Sequence, residues 1–260
     1  MTRKADFCLI GRNIGYTLSP KIYTELWSAT GEMAGHTFGV RDLPELAPFI
    51  EEIRSGRLAP LGGFAVTSPY KVEVCSYLDE MTEDAIRSGA VNSVHITPDG
   101  RLIGHNTDLR GFSRTLPYSV GQAVMRALVC GTGGASRAVR VGLAELGIPY
   151  DIVSRGSLAG TLLPESVRAF RYEEMGSLKA YTHIINATPV GSVKIPGVLL
   201  PLPYDTARPG TVFYDFNYAP PVTPFMEAGL LRGGVAVNGL PMLRTLIFDY
   251  QWPFLRDGII

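Results

Sequence analysis

Apolar positions along the first half of the chain fall into two rhythms. Short apolar runs, FCLIG (7–11), HTFGV (36–40) and GGFAVTS (62–68), have the length and bounds of strands. Between them, SPKIYTELWSATG (19–31) and LPELAPFIEEIRSG (43–56) place apolar residues at helical spacing. Ser19 is the expected cap of the first helix, with Pro20 at its first position and Gly31 past its end; Gly56 closes the second. SGAVNSVHI (88–96) and RLIGHNTD (101–108) read as two further strands around a Pro-Asp-Gly turn, and the helical pattern LRGFSRTL follows. Strands alternating with helices predict a mostly parallel sheet covered by helices, hence an α/β fold.

The second half is sharper. RALVC (126–130) reads as a buried strand, GTGGAS (131–136) as a tight glycine turn, and RAVRVGLAEL (137–146) as a helix with Val139, Val141, Leu143 and Leu146 apolar. Gly147 ends that helix and YDIVSR (150–155) is the next strand, which completes a βαβ unit. THIINATPVG (182–191) and TVFYDF (211–216) are two more strands, each ending in a polar turn. GLPMLRTLIFDYQWPF (239–254) is an apolar helix that need not belong to the segment before it.

Composition narrows the function classes. With 260 residues, 46% of them hydrophobic, the chain can form one large domain or two modest ones. Lys plus Arg and Asp plus Glu both number 24 and form no long run, so neither a nucleic acid nor an anionic membrane has an electrostatic footprint. The opening MTRKADFCLIGRNIG has the pattern of neither a signal peptide nor a membrane span. Cys8, Cys75 and Cys130 are isolated and sit in or beside apolar stretches, with no Cys/His spacing that suits a metal. A cytoplasmic setting and no metal are therefore expected.

The glycine turn carries the first chemistry. Gly131, Gly133 and the small Ser136 fit G-x-G-x-x-[small] between a strand and a helix. Such a turn lets the backbone approach a pyrophosphate while helix N–H groups face the anion. Asp151 lies at about the distance of a ribose-binding acid but at the start of its strand, so it is discounted. At the strand's end stand Ser154 and Arg155, a hydroxyl and a guanidinium suited to a 2′-phosphate. NADP is expected, with NAD possible; a solvated loop arginine is the plain alternative for Arg155.

Four polar clusters in the first half fall at or near the ends of expected strands, where α/β sheets place their sites. They are Thr17 with Ser19, Thr67 with Lys71, Asn92, and the run from Gly104 to Asp108. Each alone has a plain reading: a helix cap, a surface lysine, an Asn turn, a capping Asp. Together they offer hydroxyls, an amide, a carboxylate and one ammonium, a set suited to a small polyhydroxylated acid. Beside a dinucleotide fold, hydride transfer at a carbinol follows, with Lys71 and Asp108 handling the proton.

These residues resemble the shikimate dehydrogenase family from about residue 8 to about 250. The matching motifs are SP (19–20), VTSPYK (66–71), GAVNS (89–93), GHNTD (104–108), GTGGASRA (131–138), NATPVG (186–191), DFNYAPPVTP (215–224) and NGLPML (238–243). The resemblance implies two domains: residues 1–108 plus 237–260 binding substrate, and a Rossmann-type NADP domain at 109–236. It implies reversible reduction of 3-dehydroshikimate to shikimate, with Lys71 and Asp108 as the catalytic pair. Thr17 and Ser19 would hold the substrate carboxylate, Thr67 and Asn92 its ring hydroxyls, and Tyr218 would also face it. Gly131, Thr132, Gly133, Gly134, Ala135, Ser136 and Arg137 would hold the pyrophosphate, with Ser154 and Arg155 near the 2′-phosphate. Asn186, Ala187, Thr188, Phe216 and Gly239 would line the nicotinamide side. The partner implied is a small cyclic hydroxy acid, bound by a monomer or homodimer.

Several positions depart from the family pattern. Thr17 stands for its usual Ser, Ala65 for an Asn, Leu246 for a Gln on the last helix, and Ala159 for the second Arg of the phosphate clamp. Gln251 is not expected to replace that Gln, because five residues on an α-helix turn about 140° away. A hydroxyl left unpaired in a dry pocket costs about 1–3 kcal/mol. The departures keep open a paralogue acting on quinate, an aminated shikimate or a related cyclic acid. A cofactor-binding regulator without turnover is the alternative from another class; the retained lysine and aspartate count against it.

Overall fold

The computed structural model describes all residues except 1–4, 33–34, 59–60, 118–124, 157–163, 165 and 259–260. Position 159 thus lies outside the described residues. The chain forms two units, Met1–Gly111 with Leu243–Ile260, and Phe112–Met242.

The first unit is built on a six-stranded sheet in the order β2-β1-β3-β5-β6-β4. Its strands are β1 (Ala5–Gly11), β2 (His36–Asp42), β3 (Leu61–Val66), β4 (Glu80–Met81), β5 (Ser93–Ile96) and β6 (Leu102–His105). β1 runs parallel to β2 and β3, but β5 is antiparallel to both β3 and β6. With β4 parallel to β6, five of the six strands share one direction, so the sheet is mostly parallel and β5 alone is reversed. The Pro98-Asp99-Gly100 turn then returns the chain from β5 to β6 as a hairpin; there Gly100 takes φ +83° and its N–H reaches Thr97 O.

Helix α1 (Ser19–Thr30) buries Ile22, Tyr23, Leu26 and Trp27 on one face and ends at Gly31 in the left-handed conformation. Helix α2 (Ala47–Arg54) is shorter than its apolar pattern, since Pro44 and Pro48 lie in the expected first turns. Helix α3 (Glu83–Ser88) precedes β5 in a stretch whose last residue reads as strand in sequence; Thr82 caps it through Ala85 N–H and Gly89 closes it. Helix α4 (Asp108–Thr115) begins at Asp108.

The second unit carries the parallel sheet, in the order β12-β11-β10-β7-β8-β9. The strands are β7 (Ala127–Cys130), β8 (Tyr150–Ser154), β9 (Ala169–Arg171), β10 (His183–Asn186), β11 (Val212–Asp215) and β12 (Val235–Val237). Numbered from β7, this is the 3-2-1-4-5-6 order of a doubly wound dinucleotide fold. Helix α5 (Gly134–Glu145) joins β7 to β8 and buries Val139 and Leu143, while Leu146 is 40% exposed. Helix α6 (Pro224–Leu230) links β11 to β12. Because β12 pairs with β11, residues 235–237 extend this sheet.

The last helix is not uniformly α. It runs as α7 (Leu240–Thr245), a π turn over Leu246–Gln251, and α8 (Trp252–Asp257). Trp252 N–H reaches Ile247 O, a five-residue span. Pro253 explains the break, since proline lacks an N–H and its ring clashes with the carbonyl four residues back.

Candidate active site

Strand register gathers the four polar clusters of the first unit at one sheet edge. Ile10 pairs with Val66 near the ends of β1 and β3, so Thr17 and Thr67 follow neighbouring carboxyl ends. β5 runs the other way: Ala65 pairs with Ser93, which puts Asn92, just ahead of β5, beside that same edge. Ser93 in turn pairs with His105, so residues 106–108 leave β6 there too.

Backbone bonds fix the loops. Thr67 N–H donates to Ile10 O at 2.9 Å, Val91 N–H to Lys71 O at 2.7 Å, and Asn92 N–H to His105 O at 3.1 Å. Gly11 is required beneath Thr67, because a Cβ there would meet Thr67 Cγ2 at 2.6 Å. Lys71 Nζ then stands 2.5 Å from Asp108 Oδ2, with the two side chains 15% and 5% exposed.

Asp108 is held from three sides. Asn92 Nδ2 donates to Asp108 Oδ1 at 2.9 Å and also to Thr107 Oγ1 at 2.9 Å. Asp108 N–H donates to Asn106 Oδ1 at 3.1 Å, and Asn106 Nδ2 is anchored on Ser88 Oγ and Ala90 O. Asn92 Oδ1 accepts from Thr107 N–H at 2.8 Å and from Ser93 Oγ at 3.0 Å. The Asn92 amide is 3% exposed and engaged at both ends within the protein, so its first task is to hold Asp108.

At the start of α1 the expected cap is corrected. Leu18, already helical in its backbone, occupies the cap position, and Ser19 lies inside the first turn. Thr17 Oγ1 donates to Ser19 Oγ at 3.1 Å and accepts from Ser19 N–H at 3.3 Å, which brings the two hydroxyls together.

Gln251 is the residue that sequence reasoning excluded. It is 4% exposed; Nε2 donates to Ser93 Oγ at 2.9 Å and Asn92 O at 3.3 Å, and Oε1 accepts from Tyr23 Oη at 2.9 Å. The exclusion assumed α-helical turning. In the π turn one more residue is consumed per turn, so Leu246 and Gln251 are both buried, at 5% and 4% exposure. The signal available in sequence was Pro253 inside an apolar helix.

The second unit carries a separate arrangement at the carboxyl ends of its parallel strands. Gly131 follows β7 with φ +105°, and a Cβ on it would meet Thr188 Cγ2 at 2.7 Å. Ser136 Oγ donates to Gly131 O at 2.7 Å and ties the turn to α5. Gly133 caps α5 in extended backbone with no side-chain bond, so the helix N–H groups at Gly134, Ala135 and Ser136 are not covered by a cap. Thr132 and Gly133 are exposed and Arg137 is half-buried in the first turn. This cradle of glycine backbone and helix N-terminus fits a dinucleotide pyrophosphate.

At the end of β8, Ser154 is buried and its hydroxyl donates to Gly156 O at 2.9 Å, whereas Arg155 is exposed. Asp151 is fully buried under Arg126, Arg168 and Tyr181, which removes it from any ribose. After β10, Asn186 is buried; its Oδ1 accepts from Thr188 N–H and Oγ1, and its Nδ2 donates to Val190 O and Asp215. Asn186 thus shapes the Ala187–Thr188 turn and offers no free amide. Gly239 is packed so closely on Phe216 that a Cβ would collide with the Phe216 carbonyl oxygen. Tyr218 is half-buried in the loop after β11. Among the described residues, no group of three His, Cys, Asp or Glu side chains could hold a metal ion, and no helix is long and apolar enough to cross a membrane.

Comparison with known proteins converges on one enzyme class. Residues 9–94 match the model of the shikimate dehydrogenase substrate binding domain. The NADP-dependent shikimate dehydrogenase of Ignicoccus hospitalis is 33% identical over 262 residues, covering 96% of this chain and 95% of its own. Its counterpart in Chlorobium chlorochromatii is 32% identical over 252 residues, covering 91% and 86%. Among solved structures, shikimate 5-dehydrogenase from Thermus thermophilus, in complex with NADP(H) and shikimate, superposes with a TM-score of 0.82 at 28% identity, covering 98% of this chain and 94% of that one.

Proposed function

The chain belongs to the shikimate dehydrogenase family, and on that premise we propose that it is the NADP-dependent oxidoreductase that interconverts 3-dehydroshikimate and shikimate in aromatic biosynthesis. The observation that carries this is the Lys71–Asp108 pair, closed to water on most sides and held by Asn92. The first unit acts as the substrate domain and the second as the NADP domain.

When bound, the dinucleotide supplies or accepts the hydride. The chain's residues do the rest. Lys71 Nζ presents a proton and a positive charge to the carbonyl oxygen as it becomes an alkoxide, and takes that proton back in the oxidation direction. Asp108 holds the ammonium in place and accepts a hydrogen bond from the neighbouring ring hydroxyl. Thr17 and Ser19, with hydroxyls side by side at the start of α1, bind the substrate carboxylate. Thr67 binds a ring hydroxyl. Asn92 serves chiefly to orient Asp108, and Tyr218 is assigned to substrate binding by the family resemblance.

For the cofactor, backbone N–H groups from Thr132 to Ser136 take the pyrophosphate, between the Gly131 turn and Arg137, and Arg155 takes the 2′-phosphate. Ser154 supports that loop through Gly156. Ala187, Thr188, Phe216 and Gly239 line the nicotinamide side, with Asn186 shaping the turn. Both halves of the chemistry lie in one chain, so a monomer or a homodimer accommodates it. A cytoplasmic setting suits Cys8, Cys75 and Cys130 as thiols rather than disulfides.

A second reading has its own support. Ala65 is buried at the sheet edge among Leu9, Ile14 and Phe38, and Leu246 is buried on the last helix. Two apolar side chains at these places favour a ring with fewer or different polar substituents, such as quinate or an aminated shikimate. Initial rates with shikimate, quinate and aminoshikimate, each with NADP and NAD, separate the readings. The first expects the highest kcat/KM with shikimate and NADP. Tight NADP binding without turnover of any of them would point to a regulator instead.

A further inference from the structure

The π turn places a buried amide where it controls the polarity of a hydrogen-bond chain ending at Lys71. We propose that Gln251 is a positioning residue for the Lys71–Asp108 pair, acting through Ser93 and Asn92. This inference rests on the catalytic role given to that pair above.

The direction of the chain is set by an obligate acceptor. Asn92 O is a backbone carbonyl and only accepts, so the end of Gln251 facing it at 3.3 Å must be the NH2 group. The amide oxygen then faces Tyr23 Oη, which must donate. Gln251 Nε2 also donates to Ser93 Oγ. With its oxygen occupied, the Ser93 hydroxyl sends its own proton to Asn92 Oδ1. That leaves Asn92 Nδ2 facing Asp108 Oδ1, and Asp108 Oδ2 facing Lys71 Nζ. Each step has one donor and one acceptor, and Tyr23, Gln251, Ser93, Asn92 and Asp108 are all at most 5% exposed.

A buried polar chain of this kind is stabilising only when complete. Reversing any amide would set acceptor against acceptor and leave a buried group unpaired. Gln251 therefore does more than fill space: it holds Asn92 from the side away from Asp108. An α-helical register would turn residue 251 off this face, so the π turn and the glutamine work together.

The test compares wild-type protein with Gln251→Met, Ser93→Ala and the double variant, each checked for folding by thermal denaturation. The expected result is a kcat at least tenfold lower in Gln251→Met with NADP dissociation constant unchanged. The double variant should be no slower than the slower single variant, because both cut one chain. Independent, multiplying losses, or an unchanged kcat in a folded Gln251→Met, would overturn the proposal. A second readout needs no turnover. The Asn92 side-chain NH2 signals, followed by NMR in asparagine-labelled protein, should move toward those of an unrestrained amide in Gln251→Met, since Asn92 is no longer held against Asp108 through Ser93. Unchanged Asn92 signals would overturn the proposal even if kcat fell. If the wild type proves inactive on shikimate while those signals move, the positioning role stands and the substrate assignment is what fails.

Discussion

Lys71 Nζ and Asp108 Oδ2 meet at 2.5 Å, although thirty-seven positions separate them in the chain. Two different loops at one sheet edge supply them, and Asn92 bridges to the far carboxylate oxygen. The contact is an arrangement of the fold, not of local sequence.

Removing the ammonium should abolish proton transfer while leaving the pocket walls intact. Lys71→Ala is expected to lower kcat by about 10²–10⁴-fold, the range for a positioned general acid–base group, with a much smaller change in KM. Steady-state kinetics with shikimate checks this. Most of kcat surviving would remove Lys71 from the chemistry.

Gly131 combines φ +105° with a backbone approach that leaves no room for a methyl group. Gly131→Ala should cost about 1–3 kcal/mol in strain and displace Thr188 or the turn. Weaker NADP binding by calorimetry, with a lower Tm, is the expected outcome.

Arg155 is the exposed cation at the end of β8, whereas the Ser154 proton is committed to Gly156 O. Arg155→Ala should therefore raise KM for NADP by roughly tenfold, the value of about one charged hydrogen bond, and leave KM for NAD nearly unchanged. Ser154→Ala should have the smaller effect on NADP.

Leu246→Gln tests the second substrate reading. If position 246 contacts the ring, an amide there should lower the shikimate KM. An unchanged KM would show that the substrate does not reach this side chain.

Acid should loosen the first unit through His105. Its ring is buried against Phe254 and contacts Thr82 Oγ1 at 2.7 Å, and burial pushes its pKa down to about 4. The unfolded chain binds this proton near pH 6.5. The stability from keeping His105 neutral is thus complete above about pH 6.5 and is lost as pH falls toward about 4, at most about 3 kcal/mol in all. Asp215 slopes the other way: burial raises its pKa to about 6, so its contribution is complete at acid pH and is lost as pH rises through that value. Urea unfolding of wild type and His105→Asn at pH 4.5 and pH 7 isolates the histidine, and the variant should lose less stability on acidification.

The glycine turn, its flanking strand and helix, and the four polar clusters were legible because each is a local pattern with a physical need. The residue types of Lys71 and Asp108 assign them the proton, and the resemblance makes them a pair; the register between β3, β5 and β6 explains why they meet. The mostly parallel first sheet was legible, but its one reversed strand, β5, was not, because an apolar run carries no strand direction. Helix α3 had its signals in Thr82 and Gly89 but is only six residues long. Gln251 was missed for a geometric reason: one proline changed the helix type, and with it the face on which residue 251 stands. Asn186 and Ser154 were placed correctly at strand ends, yet which way their polar atoms point depends on Asp215 and Gly156, which no spacing rule supplies.

The most direct measurement is the initial rate at which purified wild-type protein reduces NADP in the presence of shikimate, followed by the reduced-nicotinamide absorbance beside Lys71→Ala. Saturable turnover by the wild type, nearly lost in the variant, is the predicted result. No turnover by a folded, NADP-binding wild type would contradict the account.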